Sequence, residues 1–143
     1  MSVRTFAKLF GVAFLLIGLA AFIPGLTTPH SHPGAADVAV RGGLGSALGL
    51  FPVNWVHNLI HIAFGIWGLA ASRGVGSSRA YGKGVAIIYG ALTIFGLIPA
   101  ARIWTTFGLA PLYGNDVWLH LVLAAVAGYF GFVHRDRTAD ARA

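Results

Sequence analysis

The sequence predicts an all-α integral membrane protein, with four transmembrane helices in a bundle built from two repeated helical hairpins. Three observations lead there. The 143-residue chain is 57% hydrophobic and only 10% charged, with a mean hydropathy of +0.75, leaving too little polar surface for a soluble domain of this length. The apolar residues fall into four blocks of about 18–21 residues, enough to cross ~30 Å of hydrocarbon at ~1.5 Å per residue. Basic residues alternate between the gaps. Arg4 and Lys8 precede the first block, Arg73, Arg79 and Lys83 flank the second gap, and Arg135, Arg137 and Arg142 follow the last. Arg41 and Arg102 alone occupy the other two gaps. This is the positive-inside pattern for four crossings with both termini in the cytoplasm. The net charge of +6 is therefore a topology signal facing anionic lipid, and nucleic acid is not the expected partner.

The chain divides into one transmembrane domain, residues 1–133, and a polar cytoplasmic tail, residues 134–143. The first helix is placed at residues 5–23, closing at Pro24-Gly25. A signal peptide is the competing reading, but the apolar run is long and no small-x-small cleavage site directly follows it. The first external segment contains His30-Ser31-His32 between prolines, expected as a solvated pair, and an apolar Gly-rich stretch, Gly42 to Leu50, expected at the interface. The second helix follows Pro52, capped by Asn54, over residues 54–71. Ser77 or Ser78 is the expected cap of a third helix over residues 80–100. A second external segment covers residues 101–114. Gly114-Asn115-Asp116 then opens a fourth helix, residues 116–133.

The second and fourth blocks resemble each other. Trp55-Val56-His57 answers Trp118-Leu119-His120, and at an identical offset Gly65-x-x-Gly68 answers Gly128-x-x-Gly131. Gly11 in the first helix aligns with Gly84 in the third. Two hairpins of like orientation imply a pseudo-two-fold axis along the membrane normal. His57 and His120 should then face each other at similar depth.

The polar residues of these helices carry the functional question. Asn54, His57, Asn58 and His61 share one helical face, which lipid would penalise, so it should point into the bundle. On the fourth helix His120 tops a column of small residues, Ala124, Ala127 and Gly131, and Asp116 lies one turn before it. Three readings are open. The Asn/His cluster can hold helix register through hydrogen bonds in a structural or accessory subunit. It can bind a ligand, with His57, His61 and His120 as imidazole donors to a divalent metal and Asp116 as fourth donor or orienting partner. Haem b between His57 and His120, with room beside Gly68, Ala124 and Ala127, ranks below a simple metal. It can also line a proton or solute path, which four helices would support only as a homo-oligomer or with a membrane-protein partner. The chain contains no glutamate and no cysteine, which disfavours a His-Glu-x-x-His hydrolase and excludes thiolate ligation. No phosphate-binding loop or nucleophile elbow is present, so no catalytic residue is assigned. Trp55, Trp118 and Tyr81 are expected as interfacial anchors, and Tyr89 and Tyr129 inside the bundle.

On Asn54-x-x-His57-Asn58-x-x-His61 with Gly65-x-x-Gly68, and on Asn115-Asp116-Val117-Trp118-Leu119-His120, the sequence resembles a family of small bacterial four-pass membrane proteins. That family is filed as a domain of unknown function, number four-three-eight-three. The resemblance runs from the first helix through the fourth. It implies a four-helix fold in the bacterial plasma membrane; the polar network of Asn54, Asn58, Asn115 and Asp116 supporting the histidines is read from the residues themselves. The resemblance implies no activity.

Overall fold

Ser2 starts the first helix: its hydroxyl accepts the Thr5 amide at 3.1 Å, satisfying one of the free N–H groups of the opening turn. From there α1 runs Val3–Ala20, followed by β1 (Thr27–Thr28), β2 (Gly45–Ala47), β3 (Phe51–Val53), α2 (Trp55–Ala71), α3 (Val75–Gly96) and α4 (Asn115–Gly128). A π-helical turn, Tyr129–Val133, extends α4. The computed structural model describes residues 1–100 and 102–136. Arg137, Arg142 and the rest of the tail from residue 137 lie outside the described residues.

The described chain is mostly helical, as expected, with one addition. The segment between α1 and α2, read from the sequence as a loop, has structure of its own. It folds into a 3-10 turn, Pro33–Asp37, and an antiparallel sheet in the order β1-β2-β3. Gly45 pairs with Val53, and Thr28 with Ser46. The Gly-rich composition hid these short strands, which close on turns at Gly43 and Gly49, both with positive φ.

Helix boundaries shift for identifiable reasons. The helix α3 begins five residues before the expected start, with Gly74 as N-cap. Ser77 and Ser78 lie inside its first turn, and both hydroxyls donate back to the carbonyls of Ala71 and Gly74. They clamp the α2–α3 connection instead of capping a helix. The helix stops at Gly96, three residues short of Pro99, whose ring disfavours helical geometry just before it. The segment 134–136 is anchored. Asp136 accepts the Val3 amide at 3.0 Å and so caps α1, while Arg79 donates to the His134 carbonyl at 2.6 Å.

Packing is pairwise, α1 against α2 and α3 against α4, and glycine makes both contacts close. A Cβ on Gly65 would stand 2.8 Å from the Leu15 amide nitrogen and 2.9 Å from the Gly11 carbonyl. One on Gly131 would stand 2.6 Å from the Lys83 amide nitrogen. In the second pair the partner of Gly131 is Gly82, while Gly84, aligned with Gly11 by sequence, lies against the Trp67 ring. Between the pairs sits an aromatic core of Phe6, Phe14, Tyr81, Tyr89 and Phe130, with Phe6 stacked on Phe130 at 4.6 Å. Tyr81 is fully buried there against Trp67, so it is a core residue and not an interfacial anchor. Tyr129, expected inside, is half exposed. Trp55 and Trp118 are both exposed.

The outward faces are apolar on every helix: Leu9 and Leu16 on α1, Leu59 and Ile66 on α2, Ile87 and Ile94 on α3, Val122 on α4. Two stretches, Val3–Ala20 and Asn115–Val133, are long and apolar enough to cross a membrane. The helix α2 is apolar but has 17 residues, and α3 opens with Ser77, Ser78, Arg79 and Lys83.

Gly65→Val should lower stability by about 1–3 kcal/mol, because a new side chain there meets backbone that cannot swing away. Gly90→Ala, where a Cβ meets nothing within 4 Å, should leave the midpoint unchanged or raise it. Thermal unfolding of both variants in the same detergent checks the contrast.

Candidate functional site

The site begins at the start of α2. The Asn54 side chain accepts the His57 amide at 2.9 Å through Oδ1, and its Nδ2 donates to the carbonyls of Val40 at 3.0 Å and Leu109 at 2.7 Å. Asn54 is therefore the expected cap, and it also fastens both external segments to the helix. From that start the stripe Asn54, His57, Asn58 and His61 is buried throughout, each residue under 5% exposed. The face that lipid would penalise does point inward.

Imidazoles from the two hairpins meet there. His57 and His61, one turn apart, bring their Nε2 atoms within 3.2 Å, and the His57 and His120 rings lie 6.1 Å apart. One donor nitrogen from each of His57, His61 and His120 lies within 4.8 Å of the other two. Asp116 is buried beside them, its Oδ2 3.4 Å from His120 Nδ1. That contact has ion-pair spacing without hydrogen-bond geometry, so both atoms stay without a hydrogen-bond partner, as do Nδ1 of His57 and Nδ1 of His61. Asn58 Nδ2 is likewise buried and unpartnered.

Aromatic rings enclose the cluster on the side of the α2–α3 connection. Phe14 lies 5.4 Å from His61, and Tyr89 meets the His120 ring edge-on at 4.8 Å. Below them the small-residue column is filled. Gly68 abuts the Cα of Gly11 and the Tyr81 hydroxyl, while Ala127 is fully buried in the core and Ala124 packs against it. These residues serve helix packing and leave no slot of porphyrin size. Gly128 is loosely packed, nearest Ala86. Asn115 lies apart from the histidines, donating to the Leu50 carbonyl at 3.3 Å at the outer end of the sheet.

Two cavities flank the cluster. One of about 330 Å³ reaches His57, His61 and Asp116 from between α1 and the sheet. The other, about 50 Å³, lies between His57, His61, His120, Tyr89 and the second external segment.

The segments joining α1 to α2 and α3 to α4 hold a second group of chemistry-bearing side chains. His32 Nδ1 accepts the Gly34 amide at 3.0 Å, capping the 3-10 turn, and its ring stacks on Tyr113 at 4.3 Å. His30 Nδ1 is 2.7 Å from the Ser46 hydroxyl, and Trp104 Nε1 donates to Asp37 at 2.9 Å. The His30/His32 pair is thus half-buried structure and not a solvated motif. The missed signal was Tyr113, which stacks on both imidazoles, and Trp104, which meets His32 edge-on, both from a segment distant in sequence.

Partial burial, and secondarily the neighbouring His32, lower the His30 pKa from 6.5. The folded cap then binds fewer protons than the unfolded chain as pH falls through 6.5, so acidification in that window destabilises it. The thermal midpoint should fall between pH 7.5 and 5.5, and His30→Gln should flatten that slope. An unchanged slope in the variant would assign the effect elsewhere.

The chain belongs to the family described as Domain of unknown function (DUF4383), whose model matches residues 4–133. No curated protein and no solved structure matches it.

Proposed function

We propose that this member of the family is a four-pass protein of the bacterial plasma membrane that holds a divalent metal ion at His57, His61 and His120, with Asp116 as the charged partner. Both termini face the cytoplasm in this reading. The membrane assignment is supported by the inversion of polarity: histidines, asparagines and an aspartate are buried while leucines and isoleucines are exposed on all four helices. In water such a surface would associate; in lipid it is the favourable arrangement. The short α2 reaches about 25 Å at ~1.5 Å per residue, and β3 and Asn54 extend it outward.

The observation that carries the metal reading is the convergence of one ring nitrogen from each of His57, His61 and His120 to within 4.8 Å, with Asp116 buried beside His120. A network that only held helices together would gain by pairing its members, since each unpaired buried group costs about 1–3 kcal/mol. Here the histidines offer nitrogens and Asp116 offers negative charge to a common centre. The 3.2 Å between the Nε2 atoms of His57 and His61 is close to the ~3.3 Å edge of a tetrahedron with ~2.0 Å metal–nitrogen bonds. His120 needs only a ring adjustment to join them. The same adjustment would let Asp116, 3.4 Å from its Nδ1, fix the tautomer as a carboxylate behind a metal-bound histidine does. Three imidazole nitrogen donors favour zinc, copper, nickel or iron over magnesium or calcium. Haem is disfavoured, because the packed column beneath the histidines leaves the macrocycle no room. The rival reading, a structural network, draws its support from the His57–His61 contact itself, which has hydrogen-bond length.

Elemental mass spectrometry on untagged protein, purified gently from native membranes, should return near one transition metal per chain. His120→Asn should lose it while remaining folded, and Asp116→Asn should weaken affinity by about 10–100-fold. Metal-free, monodisperse wild-type protein would instead leave the cluster as a packing network. For the topology, a cysteine at Ser31 should react with an impermeant reagent on intact cells and one at Ser77 should not; the reverse pattern would overturn the orientation.

A further inference from the structure

The cavity of about 330 Å³ between α1 and the sheet is not used by the metal reading. Its volume falls within the range of small-molecule sites, about 300–1,000 Å³. Its wall is built from Leu16, Ile17 and Ala20 of α1 and from Ala47, Leu48 and Val53 of the sheet region, with His57, His61 and Asp116 at one end. Leu16, Ile17 and Leu48 are also among the exposed apolar side chains, so the mouth opens sideways on the apolar outer face of the protein. On the membrane reading proposed above, a molecule entering there comes from the hydrocarbon and not from water.

We infer that this cavity binds a neutral, lipid-soluble amphiphile, its apolar body between α1 and the sheet and a carbonyl or hydroxyl head at His57, His61 and Asp116. The apolar wall selects the body. The head is selected by the polar end, where buried His57, His61 and Asp116 atoms have hydrogen-bonding capacity left over. An anionic head is selected against, because it would be buried beside the Asp116 carboxyl without a lysine or arginine in the wall. Two sources share this chemistry, an isoprenoid quinone and a long-chain alcohol. The site abuts the histidine cluster but needs no metal in it.

The test uses the full-length protein in mild detergent, with metal content measured on each sample. A diazirine-bearing long-chain alcohol is photolysed with it, and adducts are located by peptide mass spectrometry. Saturable labelling should fall within residues 16–21 and 47–48, and drop at least fivefold in Ala20→Phe, which fills the cavity. Ala47→Met serves as the second cavity-filling variant where Ala20→Phe does not fold. Competition by decylubiquinone would give the head as a quinone, and saturable labelling without competition would give it as a hydroxyl. Labelling spread along the outer helices, labelling undiminished in a folded filled-cavity variant, or equal labelling by the matching fatty acid carboxylate would overturn the proposal. Specific labelling of metal-free protein would support it while refuting the metal.

Discussion

One side-chain amide, that of Asn54, joins three parts of the protein. Its oxygen starts α2, and its nitrogen holds the carbonyls of Val40 and Leu109, one from each external segment. The residue is fully buried, so these bonds form where water does not compete, and leaving any of the groups unpaired costs about 1–3 kcal/mol. Fixing the first turn of α2 fixes the rotation of the whole helix. That rotation puts His57 and His61 inward, toward His120, and Leu59 and Ile66 outward. The external cap and the histidine cluster therefore share a constraint, and loosening either changes the other.

The second constraint is the close approach of glycines. Gly11 against Gly65 and Gly68, and Gly82 against Gly131, bring backbones together within each pair. In a bilayer there is little hydrophobic drive between helices, and association rests on such packing and on interhelical polar contacts. Gly18 against the Asn58 carbonyl extends the close approach of α1 and α2 to the level of the histidines.

Much of this was legible in the sequence because spacing on a helix translates directly into direction. The offsets of Asn54, His57, Asn58 and His61 gave the buried face, and the repeated Trp-x-His placed His120 opposite His57. The sheet was not legible, since three strands of two or three residues among glycines have no periodicity to detect. Tyr81 was misplaced because an aromatic near the basic end of a helix looks like an anchor; only Gly68, leaving space for its ring, shows why it turns inward. The roles of Ser77 and Ser78 were missed for a different reason. A serine near a helix start reads equally as a cap or as a first-turn residue bonding back to a carbonyl, and the tertiary clamp on Ala71 decides between them.

Asp116 ties these strands together. Its position in the first turn of α4 suits a negative charge against the helix N-terminus, yet it is 1% exposed and faces imidazole. A carboxyl so placed stabilises the fold only if something nearby carries compensating charge or a proton. Protonating His120 would supply one charge at a heavy desolvation cost to the ring. A divalent ion shared by three neutral imidazoles supplies two, leaves every ring uncharged, and uses the carboxylate where it already sits. On those grounds the aspartate, more than the histidines, weighs toward an ion: three imidazoles can be buried neutral as mere packing, whereas a carboxylate beside them needs a reason to be there.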